Sequence, residues 1–332
     1  MSLLGLIASF TAQAALLTTP APIIDMHFHA MTADAMGSRA AICSPYEEWP
    51  IRDPGKPIEA YLTDFTADPK CKVKFIAPDT TEELIAANAR VMRKYNMIAL
   101  ADGGDRTVSA LSALVPGRIM QASAFGSGEK WPTPDQLRAQ HRAGKLKSMS
   151  EITIQYAGIA PTDPRFAPYW ALAEELDVPV GIHMGPGPPG VSYIGLLEYR
   201  MALTDPLQLE EVLMKHPKLR VFVMHAGWPM ADRTMALMYA HPQVYVEIGV
   251  IDHAFPRAEF HRYLKQLVDA GFGKRVMFGS DQMVWPGAIE VAIANLEAAA
   301  FLTPGQKRDI FYNNAARFLR LTPEQMKKHQ NQ

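Results

Sequence analysis

Along the chain, short apolar runs alternate with longer segments in which apolar residues recur at helical spacing. The first run, IIDMHFH at 23–29, has β-branched and aromatic residues and reads as a strand. A stretch over 30–80, rich in Pro, Asp and Thr, follows it as an insertion. TTEELIAANARVMRKY then reads as a helix, with threonines to cap it and glutamates in its first turn. MIALAD, RIMQASAF, MSEITIQY, VPVGIHM, LRVFVMH, QVYVEIG and KRVMFGSD continue as the second to eighth strands. Helical patterns lie between them, for instance TPDQLRAQHRAGK, DPRFAPYWALAEELD and RAEFHRYLKQLVDAGF, and two more close the chain. Strands each followed by a helix predict an α/β fold, a (β/α)8 TIM barrel with an elaborated loop after the first strand. A doubly wound open sheet would carry a Gly-rich phosphate turn after that strand, whereas His29 is followed by AMTADAMG. One domain over 21–325 is the simplest division.

Composition changes this picture only at the edges. A formal net charge of −1 and the absence of a basic stripe argue against a nucleic-acid partner, leaving a small-molecule substrate. Residues 1–20 have a short apolar core, Leu3 to Phe10, then Ala12-Gln13-Ala14, an A-x-A cleavage pattern. They are expected to be a signal peptide, which places the protein in the periplasm or outside the cell; as a mere N-terminal arm they would leave it in the cytoplasm. No run is long enough to predict a membrane span. Cys43 and Cys71 share the insertion and either form a disulfide in an oxidising compartment or remain free thiols. A homodimer stays open.

The candidate chemistry lies at strand ends. Residues two apart on a strand share a side, so His27 and His29 project together, either as hydrogen-bonded structural histidines or as metal ligands. In a barrel they would meet Glu151 from the fourth strand, His183 from the fifth, His225 from the sixth and Asp281 from the eighth. A polar group closing an apolar strand is costly without a partner, and this many on one rim predict a shared ion. His216 and His241 precede strands and read as structural, and His253 reads as a solvated loop residue.

The motifs HFH, GIHMG, HAGWP and GSDQ, with the closing YNNAARFLRL, resemble the amidohydrolase superfamily, in particular its amidohydrolase-related branch with aminocarboxymuconate-semialdehyde decarboxylase. The resemblance covers residues 22 to about 321. It implies that His27, His29, His183 and Asp281 hold a divalent metal, zinc or another transition ion. It implies that His225 orients water or polarises the scissile group, and that Asp281 also takes a proton from the metal-activated water. Many relatives carry a carboxylated lysine on the fourth strand to bridge two ions; here Glu151 stands on that strand, similar to the bridging glutamate of TatD-type nucleases. One ion is expected, with a second on His183 and His225 open.

This machinery implies a metal-dependent hydrolase that activates water against an amide, ester or lactone. The alternative is a metal-dependent non-oxidative decarboxylase of an aromatic or dienoic acid, and a catalytically silent binding module is the reading from another class. Trp228 and Tyr156 are candidates for packing an organic substrate, and Arg165 for anchoring its carboxylate, alongside the bland readings of rim packing and solvated surface.

Overall fold

In the computed structural model, residues 20–128 and 130–330 are described. The signal peptide expected over 1–20 therefore falls outside the described residues except for Pro20. Eight parallel strands run in chain order around a barrel: β1 (Ile23–Ala30), β2 (Met97–Gly103), β3 (Ile119–Gln121), β4 (Met149–Ile152), β5 (Val180–His183), β6 (Val221–Met224), β7 (Tyr245–Glu247) and β8 (Val276–Met277). Ladders join β1–β2–β3 and β4 through β8. Isolated bridges Ala122 to Ser148 and Phe125 to Ile152 join β3 to β4. The ring closes where Met26 N–H donates to Phe278 O (3.0 Å) and Asp281 N–H to His27 O (2.7 Å). No helix among the described residues is long and apolar enough to cross a membrane.

Two apolar layers result. Ile24, Met26, Leu100, Phe222, Met224 and Met277, from β1, β2, β6 and β8, pack together against Tyr312 and Phe318 of the C-terminal helices. Met97, Ala99, Val180, Ile182, Val221 and Val223, the alternate positions, face the surrounding helices. Each fully buried side chain of this size stabilises by about 1.5–3 kcal/mol. The helices begin where the sequence signals say: Thr80, Thr133 and Thr303 form capping boxes with Glu83, Gln136 and Gln306.

Plain alternation does not describe two strands. In β1, Asp25 pairs with Ala99 but Phe28 with Ala101, so β1 carries one extra residue. In β4, Met149 pairs with Val180 and Ile152 with Ile182, again one residue too many. Such bulges re-aim a side chain, and here the bulged residues are those flanking His27 and Glu151. Beyond Ile152 the expected strand ends early. Ile154–Ala157 forms a tight helical turn instead, carrying Gln155 and Tyr156.

The insertion is ordered. Ala41–Cys43 pairs antiparallel with Lys74–Ile76 at its neck, and Cys43 is disulfide-bonded to Cys71. Its tip is pinned to the barrel loops: Tyr46 N–H donates to Ala254 O (2.9 Å), Ser44 Oγ to His253 O (3.1 Å) and Tyr61 Oη to Pro189 O (2.7 Å). A cross-link spanning 28 residues removes unfolded-state freedom, worth about 3 kcal/mol. Cys71→Ser is accordingly expected to lower the free energy of unfolding in urea by about that amount; an unchanged midpoint would show that the disulfide constrains nothing.

Candidate metal centre

β1, β4 and β5 and the segments just after β6 and β8 bring their candidate residues to one end of the ring. Among the described residues, three trios of donor atoms lie within 4.8 Å of one another: His27, His225 and Asp281; His27, His29 and Glu151; and Glu151, His183 and His225. All are buried except Glu151, which is half-buried. Glu151 is common to two trios, and its oxygens face different ways. Oε2 lies 3.9 Å from His27 Nε2 and 4.0 Å from His29 Nε2. Oε1 lies 3.8 Å from both His183 Nε2 and His225 Nε2. Asp281 Oδ1 sits 3.0 Å from His29 Nε2 and 3.5 Å from His27 Nε2. His183 groups with Glu151 and His225 rather than with the β1 pair.

The histidines are oriented from behind. His27 Nδ1 meets Glu247 Oε1 (3.1 Å), His29 Nδ1 meets Asp102 Oδ1 (2.6 Å) and His225 Nδ1 donates to Gly249 O (3.0 Å). His183 Nδ1 meets the Gln155 amide nitrogen, while the amide oxygen is buried without a partner; an imidazole that offers Nε2 as a ligand donates from Nδ1, which requires the Gln155 amide turned by 180° so that its oxygen accepts. A carboxylate or carbonyl on one ring nitrogen fixes the other as the ligand atom. Consistent with that, Nε2 of His27 and of His225 are buried and lack any hydrogen-bond partner. Orphaned imidazole nitrogens facing carboxylate oxygens, with room for an ion about 2 Å from each, fit a divalent cation.

Electrostatics agree. Burial pushes His29 down, but the Asp102 and Asp281 carboxylates outweigh it and raise the imidazole to about 10. Burial likewise opposes His27, and Asp281 and Glu247 lift it well above its ordinary value. Burial would raise Asp281; the charges of His27 and His29 bring it down to about 2. Glu151 is held well below the carboxylate range by His225 and His27 against its burial. His183, with burial and the neighbouring His225 against its charge, falls to about 3.

The backbone is strained here. His225 and Asp281 adopt φ of 55° and 48°, left-handed values that cost about 1–3 kcal/mol each in a non-glycine residue and cluster at functional sites. Asp281 is held there by its N–H bond to His27 O.

Of the other candidates, Tyr156 reaches the cluster, its Oη 3.1 Å from His183 Nε2; burial, and then Glu151, raise its phenol well above 10. Trp228 donates from Nε1 to Glu259 (2.9 Å) and packs edge-on against Phe255 at 4.4 Å. Arg165 is not drawn in: its exposed guanidinium is engaged by Asp163 (2.9 and 2.8 Å). His253 departs from expectation. It is fully buried rather than solvated, and burial lowers it to about 4. Glu247, Asp102 and Gln155 are functional neighbours that the strand-end histidines overshadow in the sequence; an acid closing the apolar runs VYVE and IALAD was the available signal.

No curated protein matches the chain. Among solved structures it is similar to an uncharacterized TIM-barrel protein from Bordetella bronchiseptica, at 16% identity over 92% of this chain and 99% of that one (TM-score 0.57). It is similar to 5-carboxyvanillate decarboxylase from Novosphingobium aromaticivorans complexed with manganese, at 15% identity over 90% and 96% (TM-score 0.56). A probable 2-pyrone-4,6-dicarboxylic acid hydrolase from Acinetobacter baumannii matches at 13% identity over 90% and 99% (TM-score 0.52). These likenesses establish the barrel. The family model for amidohydrolases matches residues 24–321, from β1 to beyond the helix that ends at Phe318, and the chain therefore belongs to the amidohydrolase family.

Proposed function

We propose that the protein is a metal-dependent, non-oxidative decarboxylase of an aromatic or dienoic carboxylic acid. The observation that carries this reading is a cluster of candidate ion ligands reached by an aromatic side chain, Tyr156, whose hydroxyl meets His183 Nε2. Tyr156, just after Glu151, lies against Tyr199 at 5.3 Å. Trp228, just after His225, meets Phe255, which in turn meets Trp49 of the insertion at 4.9 Å. The 5-carboxyvanillate decarboxylase similar in fold supports it by its name. Hydrolysis of an ester, lactone or amide is the second reading, favoured by the carboxylate on β4 and by the name of the Acinetobacter structure.

Glu151 faces two half-sites, His27 and His29 on its Oε2 side and His183 and His225 on its Oε1 side; Asp281 joins the first through His27 and His29 and also groups with His225. The first, with two imidazoles and two carboxylates, is the tighter. A divalent ion supplies a Lewis acid that fixes and polarises the substrate's oxygen atoms. Asp281, a carboxylate at neutral pH, takes a proton from water and delivers it to the carbon left with the electron pair when carbon dioxide departs, and the hydroxide left behind is taken up by carbon dioxide as bicarbonate. Its Oδ2 lies 4.0 Å from His225 Nδ1; with an ion held on the Oε2 side alone, His225, whose pKa Glu151 and Asp281 raise against burial, donates from Nε2 to polarise the breaking group.

Release of carbon dioxide from a panel of aromatic and dienoic acids, run beside esters, lactones and amides, tests the assignment; turnover confined to the second panel would replace it by hydrolysis. Ion loading has its own test. With His27 and His29 raised, the ion-free protein carries protons there at pH 7, and ions must displace them. Zinc titration calorimetry in buffers of different ionisation enthalpy should show release of about two protons. No release would contradict the ligand assignment.

A further inference from the structure

Tyr156 holds a position that aromatic packing alone does not explain. Its ring is clamped: Tyr199 lies against one side, and at Gly187 a Cβ would come within 2.8 Å of the ring and 2.9 Å of the hydroxyl. Tyr199 also fixes the turn that covers it, donating from Oη to Gly185 O (3.1 Å) and accepting from Gly187 N–H (3.1 Å). The clamped hydroxyl meets one side-chain partner, His183 Nε2 at 3.1 Å, and that is the atom facing Glu151 Oε1. One lone pair cannot serve both a phenol and an ion. When an ion takes Nε2, the half-buried Tyr156 O–H loses its side-chain partner and needs another acceptor close by. The nearest place for one is an oxygen of a molecule bound at that half-site.

We propose that the Tyr156 hydroxyl is a specificity-determining hydrogen-bond donor. It competes with the ion for His183 and, once displaced, donates to a carboxylate or carbonyl oxygen of the substrate, so the site selects molecules that carry such an oxygen beside an aromatic face. This deepens the assignment above and rests on it only for the substrate's class.

The test is Tyr156→Phe, with zinc and benzoate as probes. Losing the competitor should tighten the weaker zinc-binding step at least threefold by calorimetry. Losing the donor should weaken benzoate binding to the zinc-loaded protein about tenfold, the value of one hydrogen bond to a charged group. Tyr199→Phe, which loosens the turn but keeps the donor, should leave zinc affinity unchanged; melting curves of both variants report folding. Weaker zinc binding in Tyr156→Phe, zinc and benzoate affinities both unchanged, or a loaded wild type that ignores benzoate would overturn the proposal. If neither carbon dioxide nor hydrolysis products appear from any panel while these binding shifts persist, the reaction assignment fails and the donor role stands.

Discussion

Asp281→Asn is expected to reduce turnover by about 10³-fold, the usual range for removing a positioned proton carrier. The amide keeps the side chain's size and can still offer an oxygen toward His27 and His29, which lie 3.5 and 3.0 Å from Oδ1. It cannot accept and return a proton, and it removes a negative charge that both imidazoles use. The same change has a pH signature in the ion-free protein. Because folding lowers Asp281 to about 2, its contribution to stability is complete above the unfolded carboxylate's value near 4 and disappears as pH falls toward 2. His29, raised to about 10, contributes below its unfolded value near 6.5 and loses that contribution as pH rises through 10. Asp281→Asn should therefore flatten the stability profile at both ends, measured as urea midpoints of chelated protein from acid to alkaline pH. Turnover within tenfold of wild type would remove Asp281 from the reaction.

The sequence carries the barrel and most of the rim well, because both depend on local rules. Apolar runs alternate with helical spacing, and a histidine or acid closing a strand such as GIHM or FGSD needs a partner. What it hides is set by geometry between distant segments. The extra residues in β1 and β4 leave no mark in IDMHFH or MSEI, yet the bulges turn His27 and Glu151 toward the ring's interior. MSEITIQY alternates as a strand should, but past the Phe125 bridge the chain turns, with Tyr156 N–H donating to Thr153 O (3.0 Å). His253 looks like a loop residue because IDHAFP carries turn character; the insertion, docked through Ser44 and Tyr46 onto His253 O and Ala254 O, is what buries it. The division of the ligands by Glu151 exists only as four distances. Glu247 shows the same limit, since its partner His27 is 220 residues away.

Glu247 supports the centre without facing it. One carboxylate accepts from His225 N–H (2.8 Å), meets His27 Nδ1 (3.1 Å) and accepts from Gly249 N–H, and it is fully buried. Burial would raise its pKa; His27 and His225 lower it. The structure has left room for it: a Cβ at Gly279 would fall 2.2 Å from Oε2, so the glycine of FGSD is occupied space. Truncation to Glu247→Ala strands an imidazole and two amide donors in a dry interior, and breaking a buried charge pair this way costs about 3–5 kcal/mol. It also frees the His27 ring to turn, which should weaken zinc binding about 10–100-fold. Glu247→Gln is the milder change. The amide fills the same volume, and with its oxygen in place of Oε1 it keeps the bonds from His225 N–H and His27 Nδ1 while its NH2 confronts Gly249 N–H, so it should lose less stability than alanine and bind zinc more tightly than alanine does. Thermal melts of chelated protein and zinc titrations of both variants decide. If alanine melts with wild type, or if both variants bind zinc as wild type does, His27 is fixed by something other than Glu247, and the ordering of the centre from β7 is wrong.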